Sequence, residues 1–327
     1  PRRTEARRFC GHARAFVAAT KTKRSAKTRT APALYSTHCD GGAMSASFEL
    51  AEEALVDEAG TTARAQPIPH ISAIIITKNE AHNLPVCLAA LHWVHEIIVV
   101  DAESEDGTGD LAREYTDKVF IRNWEGYASA KNFALAQATG EWVLSIDADE
   151  RVTPELREEI CALLSAQPQC EGYEMPRLAN FLGAWMMHGG WYPGYVLRLF
   201  RRGAGGIANV AVHEAVQVQG KIGRLRHHLL HYTDPGIQHY FEKYNRYTSL
   251  AAEEMQRQGK RFHLWDLLFR PLWFFFRMYV LRTGFMDGLP GLILASFSAA
   301  YVFTKYAKLW ELQQMYEKEK VYKEPIV

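Results

Sequence analysis

Trp142-Val-Leu-Ser-Ile-Asp-Ala-Asp-Glu150 decides how this chain folds and where its chemistry sits. Residues 142–146 read as a buried strand, and two carboxylates one residue apart stand where it ends. Side chains at i and i+2 of an extended segment point the same way. Asp147 and Asp149 are therefore expected to face one cation or one polyhydroxylated ligand together. Asp-x-Asp is a common pattern, and its competing reading is a solvated turn before the helix that starts at Thr153.

Working outward, residues 71–77, 96–100 and 118–121 are further short apolar runs, separated by helical stretches at 83–91, 108–115 and 129–138. Such alternation implies an α/β fold, a mostly parallel sheet with helices on both faces. In sheets of this kind ligands bind outside the carboxyl ends of the strands, where Thr77, Asp101, Asp147 and Asp149 fall. Thr153, Pro154 and Glu155 supply the cap, the fixed φ and the first-turn acid of a helix that should end before Pro168. Residues 172–177, 196–200 and 215–218 read as strands among loops rich in glycine and aromatic residues, the composition of a substrate-binding half. Asp234-Pro235 is read as the start of a helix that runs to about Gln258 and stops at Gly259.

The 327 residues suffice for one large domain or a catalytic domain with an appendage. A net charge of +1 provides no global field for nucleic acid, and no nucleic-acid partner is expected. The charge is unevenly spread: residues 1–43 hold ten Lys/Arg against Glu5 and Asp40. That composition buries too little to offset ordering entropy, so residues 1–66 are expected to be a disordered basic extension. Met44 is the expected translation start, and an organelle transit peptide is the alternative. Five widely spaced cysteines with no Cys-x-x-Cys pair fit a reducing compartment and supply no structural zinc site.

Toward the other end, residues 264–310 are dense in Phe, Trp, Leu and Tyr, with Arg270, Arg277, Arg282, Lys305 and Lys308 among them. The uncharged run 288–304 is 17 residues long, at the lower edge of a membrane span, and Pro290, Gly291, Ser296 and Ser298 interrupt it. An interfacial or re-entrant helical anchor is the preferred reading. The alternative is a helical pair packed on the catalytic domain.

Four motifs occur in order at βαβ spacings: Ile71-Ser-Ala-Ile-Ile-Ile-Thr-Lys-Asn-Glu80, Ile97-Ile-Val-Val-Asp-Ala-Glu-Ser-Glu-Asp-Gly-Thr108, Lys131-Asn132 and Ser145-Ile-Asp-Ala-Asp-Glu150. This series resembles the family 2 glycosyltransferases, which have the glycosyltransferase A fold. Later segments, Tyr195-Val-Leu-Arg-Leu-Phe-Arg201, Val212-His-Glu-Ala215, Leu230-His-Tyr232 and Gly284-Phe-Met-Asp-Gly288, look like the bacterial lipopolysaccharide core-biosynthesis members, β-glucosyltransferases among them.

The resemblance implies an inverting transfer of a sugar, glucose, from a nucleotide-diphosphate donor, UDP, to a lipopolysaccharide inner-core or similar glycolipid. Thr77, Asp101, Lys131, Asn132, Asp147, Asp149 and Arg198 would bind the donor. Asp149 with Asp147 would hold Mg²⁺ or Mn²⁺, and His231 would approach the same place. Glu214, with Asp234 and Asp149 as alternatives, would take the acceptor proton. Many relatives carry a second acid after the position of Asp101, and Ala102 stands there. His227 and His228 read as surface or core-edge residues.

The implied domain map is a catalytic domain at 67–235, with a nucleotide half at 71–155 and an acceptor half at 156–235, followed by a helical membrane-surface anchor at 236–327. The enzyme would be cytoplasmic and peripheral on the inner face of the bacterial inner membrane, with the oligomeric state open. A polyprenyl-phosphate glycosyltransferase and an inactive sugar- or nucleotide-binding scaffold are the rival readings.

Overall fold

The computed structural model describes residues 70–208, 215–234 and 236–323. At its centre is β1 (Ile71–Thr77), a β-branched run buried almost throughout, as a strand covered on both faces must be. β2 (Glu96–Asp101) and β4 (Trp142–Asp147) flank it in parallel, and β3 (Val119–Ile121) pairs beyond β2. The crossovers carry α1 (Leu84–Ala89), α2 (Thr108–Arg113) and α3 (Tyr127–Gln137). Strand alternation splits the core in two. Ala73, Ile75 and Leu144 meet α1 on one face, while Ile74, Ile98 and Val143 meet Ala134 of α3 on the other.

After β4 the chain makes a two-residue turn and immediately forms β5 (Glu150–Val152), which takes its pairing elsewhere. The sheet runs β3-β2-β1-β4-β8-β6-β12-β5, where β6 is Gly172–Phe181, β8 is Gly194–Arg201 and β12 is Leu229–Asp234. Short β7 (Ala184–Trp185) and β11 (Ile222–Arg224) pair with β6, and β9 (Gly205–Ala208) forms a separate hairpin with β10 (Ala215–Val218). The first four strands are parallel as expected. The second half is mixed, since β8 is antiparallel to both β4 and β6.

α4 (Pro154–Ser165) starts as its sequence requires, with the Thr153 hydroxyl accepting from the Leu156 N–H at 3.2 Å, and it ends before Pro168. The expectation at 234–235 is corrected. Asp234 closes β12, and α5 (Ile237–Arg257) begins after Gly236, because strand pairing with Phe181 holds Asp234 extended. Gly259, at φ +71, stops the helix where the sequence indicated.

α6 (Leu264–Phe276) is followed by a π-helical turn at Arg277–Leu281, a 3₁₀ turn at Gly284–Asp287 and the long α7 (Gly288–Lys323). Pro290 does not interrupt α7, because in the first turn the missing N–H has no partner to lose. Gly291 lies so close to the 3₁₀ turn that a Cβ there would meet the Gly284 carbonyl at 2.1 Å. Val302, Tyr306 and Leu309 of α7 pack with Ala252 and Met255 of α5. Leu294 and Ala295 pack with Phe181 at the end of β6, joining the helices to the sheet. The stretch Gly284–Met315 is long and apolar enough to cross a bilayer by length and composition.

Glu96 fastens the loop that feeds β4. Its carboxylate accepts from the Thr139 N–H at 2.6 Å and the Gly140 N–H at 3.2 Å, and pairs with Ser72 and Lys118. Gly140 has no room for a side chain, since a Cβ would meet the His70 carbonyl at 2.7 Å. Partial burial opposes ionisation of Glu96, but Lys118, Ser72 and Thr139 outweigh it and bring its carboxyl down to about 2. A depressed carboxyl stabilises the fold fully above its ordinary value near 4.5 and loses that contribution as pH falls toward 2. Glu96→Gln should therefore lower stability at neutral pH and flatten the decline between those two values, as read from urea unfolding at a series of pH values.

Candidate active site

Asp147 and Asp149 do not share one direction. The i, i+2 argument needs an extended segment, but Ala148 and Asp149 form a turn and the two carboxylates part there. Asp147 turns to cations: Lys131 Nζ of α3 donates to Oδ1 at 2.9 Å, and Arg198 of β8 donates to Oδ2. The same guanidinium donates to Glu150 Oε1 at 2.7 Å. Glu150 is fully buried, and its other oxygen accepts from the Asp147 N–H at 3.0 Å, closing the turn. Arg177 Nη1 lies 3.6 Å from Glu150. Burial disfavours charge on Asp147, yet Arg198 and Lys131 outweigh it and hold the carboxyl well below the ordinary range.

The outer side of the turn is fixed by Arg151, which donates to the Ala148 carbonyl at 2.7 Å, the Glu150 carbonyl at 2.8 Å and the Asn83 carbonyl at 2.9 Å. Asn83 donates in turn to Glu80 at 2.9 Å. Burial raises the Glu80 carboxyl above its usual value; the Asn83 hydrogen bond opposes this and Asp149 adds to it. Burial also pushes the Cys87 thiol up to about 12, keeping it a donor, and it points at the Asp147 carbonyl at 3.7 Å.

Asp149 faces β12. Antiparallel pairing sets His231 opposite Glu150, and the Tyr232 N–H donates to the Asp149 carbonyl at 2.9 Å. The His231 ring nitrogen Nε2 then lies 3.2 Å from Asp149 Oδ2. Among the described residues no group of three or more His, Cys, Asp and Glu converges as a metal-ligand set. A hard cation that draws its remaining shell from diphosphate and water needs only one or two protein ligands. Asp149 and His231 fit that requirement, while both Asp147 oxygens are committed to cations.

The other sequence candidates fall around this turn. The Thr77 hydroxyl donates to Asp101 Oδ1 at 2.8 Å, and the Ser104 N–H donates to Oδ2 at 2.9 Å. Both Thr77 and Asp101 are buried, so this pair grips the loop after β2 from below. Lys78 donates to the Ala102 carbonyl at 2.7 Å, tightening the same loop. Asn132 spends its amide on Ile207, donating to the carbonyl at 2.8 Å and accepting from the N–H at 3.2 Å. That ties the β9–β10 hairpin to α3. Glu214 lies outside the described residues, between β9 and β10, and the side chain of Asp234 is likewise outside them. His227 pairs with Glu159 at 2.9 Å, and His228 packs edge-on to Tyr192, both apart from Asp149.

Sequence reading missed Glu150, Arg177 and Arg151, and it missed an aromatic rim. Trp124 and Tyr127 are exposed with ring centroids 4.5 Å apart, and Arg246 of α5 donates to the Tyr127 hydroxyl at 3.2 Å. Tyr127 lies one helical turn before Lys131, on the same face of α3. Only that spacing from Lys131 signalled the rim in the sequence.

Residues 72–217 match the family model described as glycosyl transferase family 2. The chain is 35% identical over 253 residues to the lipopolysaccharide core biosynthesis glycosyltransferase LpsC of Rhizobium meliloti, covering 74% of this chain and 92% of that one. An uncharacterized glycosyltransferase of Rickettsia felis is 31% identical over 258 residues, covering 74% and 89%. Among solved structures, the mannosyltransferase PcManGT of Pyrobaculum calidifontis, in complex with GDP-Man and Mn²⁺, superposes with a TM-score of 0.45 at 17% identity, covering 74% and 87%.

Replacing Arg198 by Met should cost about 3–5 kcal/mol, because two carboxylates lose the cation between them inside the protein. Equilibrium unfolding in urea measures this, and Arg198→Lys should recover only part of the loss, since one ammonium cannot reproduce the fork geometry.

Proposed function

The chain belongs to glycosyl transferase family 2, and on that premise we propose that it transfers a sugar from a nucleotide-diphosphate donor to a lipopolysaccharide-core or similar glycolipid. The proposed donor is UDP-glucose and the proposed setting is the cytoplasmic face of the inner membrane. The observation that carries this reading is Asp149 with His231, a carboxylate and an imidazole 3.2 Å apart at the carboxyl end of β4. Likeness to LpsC over most of both chains supports the acceptor class.

The reaction is a single displacement. Glu214 accepts the proton of the acceptor hydroxyl as its oxygen bonds the anomeric carbon, and the bond from that carbon to the diphosphate oxygen breaks on the opposite face, inverting the configuration. Asp149 and His231 would hold Mg²⁺ or Mn²⁺, whose charge offsets that developing on the leaving diphosphate. Asp147 has a different part. Fixed by Arg198 and Lys131, it sets the turn that aims Asp149, and its charge keeps the Lys131 ammonium beside the donor phosphates.

Thr77 and Asp101 shape the nucleotide end by holding the loop after β2. Asn132 holds Ile207 and so ties the β9–β10 hairpin to α3. The Trp124–Tyr127 rim and Arg246 suit the stacking of a sugar or base with an anionic group beside it.

Glu214→Gln should keep donor binding and lower kcat by roughly 100-fold or more, the range of a lost general base. Near-normal turnover would remove Glu214 from the role. Asp149→Ala should abolish Mn²⁺-dependent donor hydrolysis and weaken Mn²⁺-dependent UDP binding in calorimetry while the thermal unfolding profile stays close to wild type. Unchanged UDP binding in that variant would reject Asp149 as the metal residue.

A further inference from the structure

α6 is built with its apolar stripe outward. Leu264, Trp265, Leu268, Leu272, Trp273 and Phe276 recur at spacings of one, three and four residues, and all are exposed, Trp265 by 70% and Leu272 by 67%. The opposite face does the packing: Leu267 joins the α5–α7 cluster, Pro271 is buried, and Phe275 packs near Met278. Leu281, Phe285 and Met286 extend the exposed patch through the turns before α7. Scattered exposed apolar residues are ordinary, but a contiguous aromatic face of this extent marks a binding surface.

Charge identifies the occupant. Lys260, Arg261, Arg270, Arg277 and Arg282 border the patch and are all exposed. The acids within the same stretch are engaged, Asp266 by Arg270 at 2.5 Å and Asp287 by His188 at 2.6 Å. A second copy docking through a two-fold axis would bring two such cationic rims together. Anionic headgroups would neutralise them while the acyl boundary took up Trp265 and Trp273.

We infer that the exposed face of α6, with the turns that follow it, docks on an anionic lipid bilayer. At 13 residues α6 is about 20 Å long, too short for a hydrocarbon core of about 30 Å, so it lies along the interface. The inferred contact is centred on α6 rather than on the uncharged run 288–304. That run belongs to α7, where Leu294, Ala295 and Val302 are buried against protein while Leu289 and Phe303 are exposed. Asp287, accepting from the Met187 and His188 N–H groups, joins the lipid-facing turns to the acceptor half of the sheet.

Sedimentation of the full chain with vesicles tests this independently of sugar transfer, since the vesicles contain no glycolipid and no donor. The protein should bind phosphatidylcholine vesicles containing phosphatidylglycerol roughly tenfold or more tightly than phosphatidylcholine alone, with the difference lost at high salt. Leu268→Glu/Leu272→Glu should weaken binding on the order of tenfold or more with an unchanged thermal unfolding profile, because both positions are solvent-facing. Arg261→Gln/Arg277→Gln should abolish the preference for phosphatidylglycerol. Undiminished binding by the leucine variant overturns the inference. So does retention in the bilayer through alkaline carbonate, which marks a spanning helix, or a dimer that the leucine variant dissociates while neither protein binds vesicles.

Discussion

Arg198 between Asp147 and Glu150 is the interaction on which the rest of the site depends. One guanidinium on β8 joins the last residue of β4 to the first residue of β5 across the turn that separates them. With Glu150 fully buried, its charge is tolerable only because Arg198 and Arg177 lie beside it and a backbone N–H supplies a further partner. A carboxylate pair with no cation there would repel and open the turn. With the cation in place, Asp147 is held by Arg198 and Lys131, and Asp149 is left facing His231.

The same turn redirects the chain. β4 ends in the middle of the sheet, and β5 pairs with β12 at the end of the strand order. That change of partner brings residues 149 and 231, distant in sequence, within hydrogen-bonding range. The second half of the sheet is mixed: β8 runs antiparallel to β4 and brings Arg198 to the end of β4, and β6 follows β8 in a further antiparallel pairing. The Asp149–His231 geometry is a consequence of where an edge strand is accepted.

Several elements were legible in local chemistry. Ile71–Thr77 is apolar on both faces and therefore central, Thr153-Pro154-Glu155 starts α4, and Gly259 ends the helix before it. Glu150 was not legible, because a glutamate after Asp-Ala-Asp looks like one more solvated acid until β8 and β6 bring Arg198 and Arg177 to it. The contacts of Asn132 were not legible for the opposite reason. An amide near a helix start resembles a ligand contact, yet here it satisfies the backbone of a hairpin 75 residues away. The exposed stripe of α6 has the periodicity of a core-facing helix, and periodicity does not say on which side the core lies.

The sequence by itself determined the family, the parallel order of the first strands and the presence of acids at their carboxyl ends. The strand order and the strand-end acids follow from hydrophobic period and turn chemistry, which act over a few residues, and the family follows from the resemblance of the four motifs. Tertiary structure decided what each acid does. Asp147 and Asp149 carry the same functional group two residues apart, but one is bound by Arg198 and Lys131 and the other faces His231. The partners come from strands and helices far along the chain. Electrostatic roles depend on distance in space, which local sequence does not encode.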